Sequence, residues 1–206
     1  LHQLKLRGLL PPIKIFVDSP LAIKTTHLYE KYRSYLNDET EAFYQKNKSV
    51  FEFDGLEYLE KERESEAIMS HFEPCIIVSA AGMVEGGRIQ EHIRNNIGNS
   101  YANILIAGFC AEGTLGYRLL QGQNKISIKG RDYKVYSGVF KTDVFSAHPD
   151  QKGLMDYIQA TNKIGNLKRI FLVHGEEQAM DALAQSLYDE GLQNVSIPQR
   201  GQTFQL

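Results

Sequence analysis

The chain has 206 residues, 42% of them hydrophobic and 23% charged, with a formal charge of −2, the profile of an ordinary globular protein with one large domain or two small ones. That balance excludes a protein that holds nucleic acid by bulk electrostatics, which needs a strongly basic face, so any nucleic-acid contact must be local. The longest apolar runs, such as residues 104–109, are far too short for a bilayer, and the start Leu1-His2-Gln3-Leu4-Lys5 has no signal-peptide pattern, which predicts a cytoplasmic protein.

Short β-branched runs alternate with amphipathic stretches, the pattern of an α/β fold with a mostly parallel sheet and helices on both faces. The opening reads as the end of a helix, with Leu1, Leu4 and Leu9 on one side and Gly8 near its close. Together with the lack of an initiating Met, this predicts a piece of a longer protein. Residues 13–17 form the first predicted strand. Ser19-Pro20 then opens a helix in which Leu21, Leu28, Tyr32 and Leu36 recur at helical spacing, with proline in the first turn where its missing N–H is not needed. A second helix is expected over 38–47, a strand within 51–59 and a charged helix over 60–70. The stretch Glu60-Lys61-Glu62-Arg63-Glu64-Ser65-Glu66 in that helix reads as a solvated face. Residues 75–79 are expected as a buried strand, 87–97 as a helix, 104–108 as a strand and 114–120 as a helix. Shorter strands, antiparallel to each other, are expected at 125–128 and 133–140. After them come a helix over 149–160, a strand at 169–173, a helix over 176–188 and a strand at 195–197. Cys75 and Cys110 fall in separate strand-like segments, which predicts two buried reduced thiols.

Four turns directly follow predicted parallel strands: Asp18-Ser19-Pro20, Ala80-Ala81-Gly82-Met83, Cys110-Ala111-Glu112-Gly113-Thr114 and His174-Gly175-Glu176. Ligand sites in open α/β sheets form at the carboxyl ends of strands, where helix N-termini present free N–H groups. The turns around Gly82 and Gly113 are therefore expected at the edge of one parallel sheet, lining a common anion-binding groove. Gly82, Gly86, Gly87 and Gly113 would let backbone approach a phosphate, and Arg88 could add a charge-assisted hydrogen bond. Taken singly, each glycine is better explained by a turn that needs a positive φ.

Nothing near His2, His27 or His71 makes them ligands, and they read as surface or packing residues. His92, in Glu91-His92-Ile93, is open between a groove-facing and a packing role. His148 and His174 lie at element boundaries among small residues, each with a carboxylate two positions later, Asp150 and Glu176. A histidine so placed can project into a cleft while the carboxylate orients its second ring nitrogen. Spacing alone leaves a ligand role and a structural role open for both.

Five motifs in order resemble the β-CASP group of metallo-β-lactamase-fold nucleases: residues 15–22 (Ile-Phe-Val-Asp-Ser-Pro-Leu-Ala), Ser79-Ala80-Ala81-Gly82-Met83 leading to Gly86-Gly87-Arg88-Ile89, residues 108–116 from Gly108 to Gly116, Phe145-Ser146-Ala147-His148-Pro149-Asp150, and Leu172-Val173-His174-Gly175-Glu176. The resemblance implies a β-CASP module over 1–144, incomplete at its N-terminal side, and a segment over 145–206 that returns to complete the β-lactamase-like αββα sandwich. It places the zinc ligand of the third β-CASP motif on His174, and on His148 the second-motif histidine, which approaches the scissile phosphate and is proposed as general acid. Gly82, Met83, Arg88, Gly113 and Thr114 become the expected phosphate-binding residues, with Asp150 and Glu176 supporting the two histidines.

The resemblance further implies a parent that hydrolyses phosphodiesters in RNA processing or decay with two zinc ions, acting on single-stranded RNA, away from membranes, with a homodimer as an option. A histidine at position 174 resembles the RNA-processing members more than the DNA-repair members. The chain departs from the group's pattern in two ways. The His-x-His-x-Asp-His signature is absent from it, so this fragment is expected to be inactive alone. Ala80-Ala81 stands where hydroxyl residues are frequent. The alternative is a catalytically silent nucleic-acid-binding or scaffolding paralogue, with a small-molecule phosphodiesterase as a third reading.

Overall fold

The computed structural model describes residues 1–145, 148–165 and 167–205, which form two compact units, Leu1–Phe145 and Ser146–Leu206. The dipeptide Ser146-Ala147 of the fourth motif lies outside the described residues. Among the described residues no helix is long and apolar enough to cross a membrane.

The first unit runs α1 (His2–Leu6), β1 (Lys14–Val17), α2 (Pro20–Lys31), a 3-10 turn (Arg33–Tyr35), α3 (Asp38–Asn47), β2 (Leu56–Tyr58), α4 (Glu62–Ile68) and β3 (Cys75–Val78). It continues with α5 (Ile89–Asn96), β4 (Asn103–Ile106), α6 (Leu115–Leu120), β5 (Lys125–Ile128), β6 (Arg131–Lys134) and β7 (Gly138–Lys141). Helix starts are written locally. The Ser19 hydroxyl accepts from Ala22 N at 3.2 Å with Pro20 in the first turn of α2, and the Asn37 side chain accepts from Thr40 N at 2.9 Å ahead of the acid-rich first turn of α3.

The fold is α/β with parallel strands, as expected, but its parallel strands fall in separate ladders. β1 lies between β2 and β3, parallel to both, and β4 pairs in parallel with β7. The strand expected at 133–140 is two strands. Tyr136 N and Ser137 N both donate to Ile97 O, at 2.9 and 3.1 Å, which turns the chain after β6. β6 then completes an antiparallel hairpin with β5, while β7 crosses to β4. Gly138 permits that crossing, because a Cβ there would stand 2.6 Å from Asn103 Oδ1.

The apolar spacing of Leu21, Leu28 and Tyr32 does mark a helix, but not a buried face. Leu21 is 70% exposed and Leu28 53%, while Ile23 is the residue of α2 that enters the core. The main core of this unit lies among α5, β4, α6 and β5, with Ile97, Leu115, Leu119 and Ile126 almost fully enclosed. Cys110 is buried within it and Cys75 half-buried, both as free thiols that burial pushes above the ordinary cysteine range.

The second unit comprises α7 (Gln151–Gly165), β8 (Ile170–Phe171), α8 (Glu177–Asp189) and β9 (Val195–Ser196), with β8 and β9 parallel. Its core is Leu172, Ala184, Leu187 and Val195, against which Met155 and Ile158 of α7 also pack.

Ile97 closes α5, is wholly buried and accepts two backbone hydrogen bonds at its carbonyl. Its truncation in Ile97→Ala is expected to lower unfolding free energy by about 2–5 kcal/mol, as denaturant titration would measure.

Candidate functional site

The carboxylate of Asp18, at the end of β1, has no exposed surface, and it is fully partnered. Its Oδ1 accepts from Arg88 at 2.6 Å, and its Oδ2 accepts from His92 Nε2 at 2.5 Å and from the Ser65 hydroxyl. Backbone groups fix the same residue: Asp18 N donates to Val78 O at 2.9 Å, and the Ser79 hydroxyl donates to Asp18 O at 2.8 Å. The Arg88 guanidinium, once placed, also donates to Leu59 O at 2.9 Å and Glu60 O at 3.1 Å. One carboxylate thus ties the ends of β1, β2 and β3 to the starts of α4 and α5. Burial alone would push the Asp18 carboxyl up, but the bonds from Ser65, His92 and Arg88 together outweigh it and hold the group below the usual aspartate range.

This network revises the expected roles of Arg88 and Ser65 and decides between the two readings of His92. Arg88 does not face an open groove; it is the inward partner of a buried charge. His92 is a packing histidine, 5% exposed, and not a groove residue. Ser65 sits in the stretch read as a solvated face, yet is buried because it serves Asp18. The one signal for it is that Ser65 is the lone hydroxyl in a run of charges.

The turns around Gly82 and Gly113 do meet, although β3 and β4 belong to different ladders. Gly116 N donates to Met83 O at 3.0 Å, Leu115 N donates to the Glu85 carboxylate at 2.5 Å, and Cys110 Sγ lies 3.7 Å from Gly82 O. The approach is close enough that a Cβ on Gly116 would stand 2.5 Å from Cys110 Sγ and 2.9 Å from Met83 O. On the other side, Gly87 has φ +69° and a Cβ there would meet Ala80 O at 3.0 Å. Val84 holds φ 62° between them, which a β-branched residue rarely adopts, with its side chain buried in the core.

The N–H groups at the start of α6, from Thr114 to Tyr117, are all consumed internally. Thr114 is the N-cap of α6: its N donates to Ala111 O, its hydroxyl donates to the same oxygen at 2.6 Å, and the hydroxyl accepts from Tyr117 N at 3.3 Å. Gly113 supplies the positive φ, +84°, that this turn requires. Glu85, which the sequence reading did not single out, occupies the remaining donor at the helix start. Gly82 and Met83 stay on the solvent side, with Met83 41% exposed.

In the second unit, His148 is exposed ahead of α7, and Asp150 caps that helix by accepting from Gly153 N at 2.8 Å. His174 follows β8, exposed, with φ 63°, and Glu176 is the N-cap residue of α8 without a side-chain capping bond. Among the described residues no three His, Cys, Asp or Glu side chains come together as a metal ion would need. A catalytic zinc takes about three protein ligands, so the described donors of this chain do not by themselves fit one. An apolar cavity of about 580 Å³, walled mainly by Ile15, Val17, Phe43, Phe51, Phe53 and Tyr58, contains none of the expected site residues.

Residues 1–119 match the family model described as Beta-Casp domain, and residues 132–198 match that of the Zn-dependent metallo-hydrolase RNA specificity domain. The chain is 30% identical over 193 residues to Ribonuclease TTHA0252 of Thermus thermophilus, an alignment that covers 94% of this chain and 43% of the relative. It is 30% identical over 201 residues to the RNase J-like protein of Methanocaldococcus jannaschii, again 94% and 43%, and 28% identical over 190 residues to Integrator complex subunit 11 of Gallus gallus, 92% and 30%. The chain therefore spans less than half the length of these curated relatives.

Because the folded carboxyl of Asp18 titrates below its unfolded value, its contribution is fully present above about pH 4 and is lost as the pH falls through the folded value. Asp18→Asn, which leaves the half-buried Arg88 opposite a neutral group, is expected to lower stability by roughly 3 kcal/mol at neutral pH and to flatten the loss seen on acidification. Urea titrations of both proteins between neutral pH and pH 3 would measure this. A second expectation concerns the turn contact: Gly116→Ala should destabilise by about 1–3 kcal/mol through overpacking against Cys110, and Cys110→Ala in the same chain should relieve part of that loss.

Proposed function

The chain belongs to the Beta-Casp family, and from that premise we propose that it is part of a zinc-dependent ribonuclease acting on single-stranded RNA in the cytoplasm, in RNA processing or decay. The observation that carries the reading is the succession of a Beta-Casp match over 1–119 and an RNA specificity match over 132–198, with His148 and His174 both exposed inside the latter. The relatives' names, two ribonuclease-type proteins and an Integrator subunit, support the same class of substrate.

In this proposal the chain divides at residues 144 and 145 into β-CASP module and returning segment. His148 donates a proton to the leaving oxygen of the scissile phosphodiester, since imidazole is the side chain that exchanges protons near neutral pH. Asp150, as the cap of α7, fixes the backbone from which His148 projects. His174 is the residue of this chain assigned to hold zinc, of which the parent would carry two ions, with Glu176 beside it. Gly82 and Met83 are the substrate-facing residues of their turn, while Arg88, Gly113 and Thr114 act by holding that turn in shape.

In the complete parent enzyme, His148→Ala should lower kcat by roughly 10²–10⁴ while zinc content stays near wild type, which is the size of general-acid assistance. His174→Ala should instead deplete zinc. A substrate with an unusually acidic leaving group should partly rescue the first variant and leave the second unrescued. Metal analysis showing equal zinc loss in both variants would make His148 a ligand or a fold-supporting residue and remove the acid assignment.

A further inference from the structure

The outer face of α2 is apolar, aromatic and basic at once. Leu21, Lys24, Leu28 and Lys31 recur at helical spacing and all are exposed, and Tyr32 continues the stripe at 49% exposure. Tyr35 follows on the 3-10 turn at 85%, its ring 6.2 Å from that of Tyr32 in an edge-to-face arrangement, and Lys31 Nζ stands 5.4 Å from the Tyr32 ring centre. No acid faces outward beside the two lysines within α2, because its sole carboxylate, Glu30, is turned in and accepts from the Ser49 hydroxyl at 2.7 Å. Arg33 belongs to the interior side, paired with Glu41 and stacked on Tyr44 at 4.3 Å. Asp38 and Glu39, exposed at the start of α3, bound the patch beyond Tyr35.

Given the reading above that the substrate is RNA, on which this inference rests, we infer that the outer face of α2 with Tyr35 is an accessory binding surface for single-stranded RNA. Bases would stack on Tyr32 and Tyr35, and Lys24 and Lys31 would take phosphates. A chain of net charge −2 must bind RNA through a local basic patch, and this is one, with rings interleaved as stacking requires. A protein partner fits less well. The helix has 12 residues, about 18 Å, and one such stripe is far smaller than the roughly 800 Å² that each side of a stable protein interface buries. Lys24 and Lys31, which have no ion-pair partner among the described residues, would also face like charge in an isologous pairing of two copies.

The test is fluorescence anisotropy of the full chain with a labelled oligouridylate, over a range of salt concentrations. Tyr32→Ala and Tyr35→Ala are each expected to raise Kd by about 5-fold to 100-fold, with Tyr35→Phe close to wild type because the ring remains. Lys24→Gln with Lys31→Gln should lower the logarithmic salt slope by roughly 1.4. All the residues are on the surface, so far-ultraviolet circular dichroism should be unchanged. If the wild-type chain binds the probe and the variants bind it equally well, this surface is idle and the inference falls while the ribonuclease reading stands. If the wild type itself binds no RNA, the reading beneath it falls too. If the substitutions change sedimentation of the chain and leave Kd alone, the face joins two copies and the inference is overturned.

Discussion

A carboxylate with no exposed surface must be paired, and in this chain that requirement falls on Asp18. It is answered from three directions by Ser65, Arg88 and His92, residues 47, 70 and 74 positions away in sequence. To deliver those groups, the ends of β1, β2 and β3 must converge with the starts of α4 and α5. Removal of one partner would strand a buried charge, so the arrangement is cooperative: each element is held because the others are. The depressed titration of Asp18 is the electrostatic mark of this, with hydrogen bonds prevailing over a desolvation that acts the other way.

The next constraint is carried by the turn that Arg88 closes. Between Gly82 and Gly87 the chain makes three positive-φ steps, at Val84, Gly86 and Gly87. It can do so because Val84 is buried among core residues and because Met83 O and the Glu85 carboxylate bind the start of α6. This turn therefore bridges two ladders that share no strand pairing. Two of the donors that the start of α6 would offer to an anion, Leu115 N and Gly116 N, are spent on that bridge, and Thr114 N and Tyr117 N are spent within the cap itself.

The proposed chemistry sits in the other unit, on His148 and His174, both exposed at element boundaries, the first beside the Asp150 cap of α7 and the second beside Leu172 of the small core. This separation of roles is consistent with the charge of the chain. With a slight negative excess overall, attraction for a polyanion has to come from places where acids are turned inward or paired, and α2 is such a place because Glu30 points to Ser49. The same property explains why the apolar spacing of α2 is misleading as a core signal: Leu21, Leu28 and Tyr32 are periodic because they share a face, and periodicity alone does not say which side that face is on.

Much of this protein is legible in its sequence. Helix starts at Ser19-Pro20 and Asn37 and the alternation of short strands with helices rest on contacts within a few residues, and each motif that marks the family is a contiguous run, so local pattern suffices to find them. The splitting of residues 133–140 into β6 and β7 was not legible, because it depends on Ile97 O capturing two N–H groups from a distant segment. Nor were the inward turn of Ser65 within a charged run, the capture of Arg88 by Asp18, or the use of Glu85 to cap α6. A polar residue shows its type in the sequence, but whether it faces solvent, ligand or a buried partner is decided by which distant groups the fold brings within hydrogen-bonding reach, and that distance is a property of the tertiary structure alone.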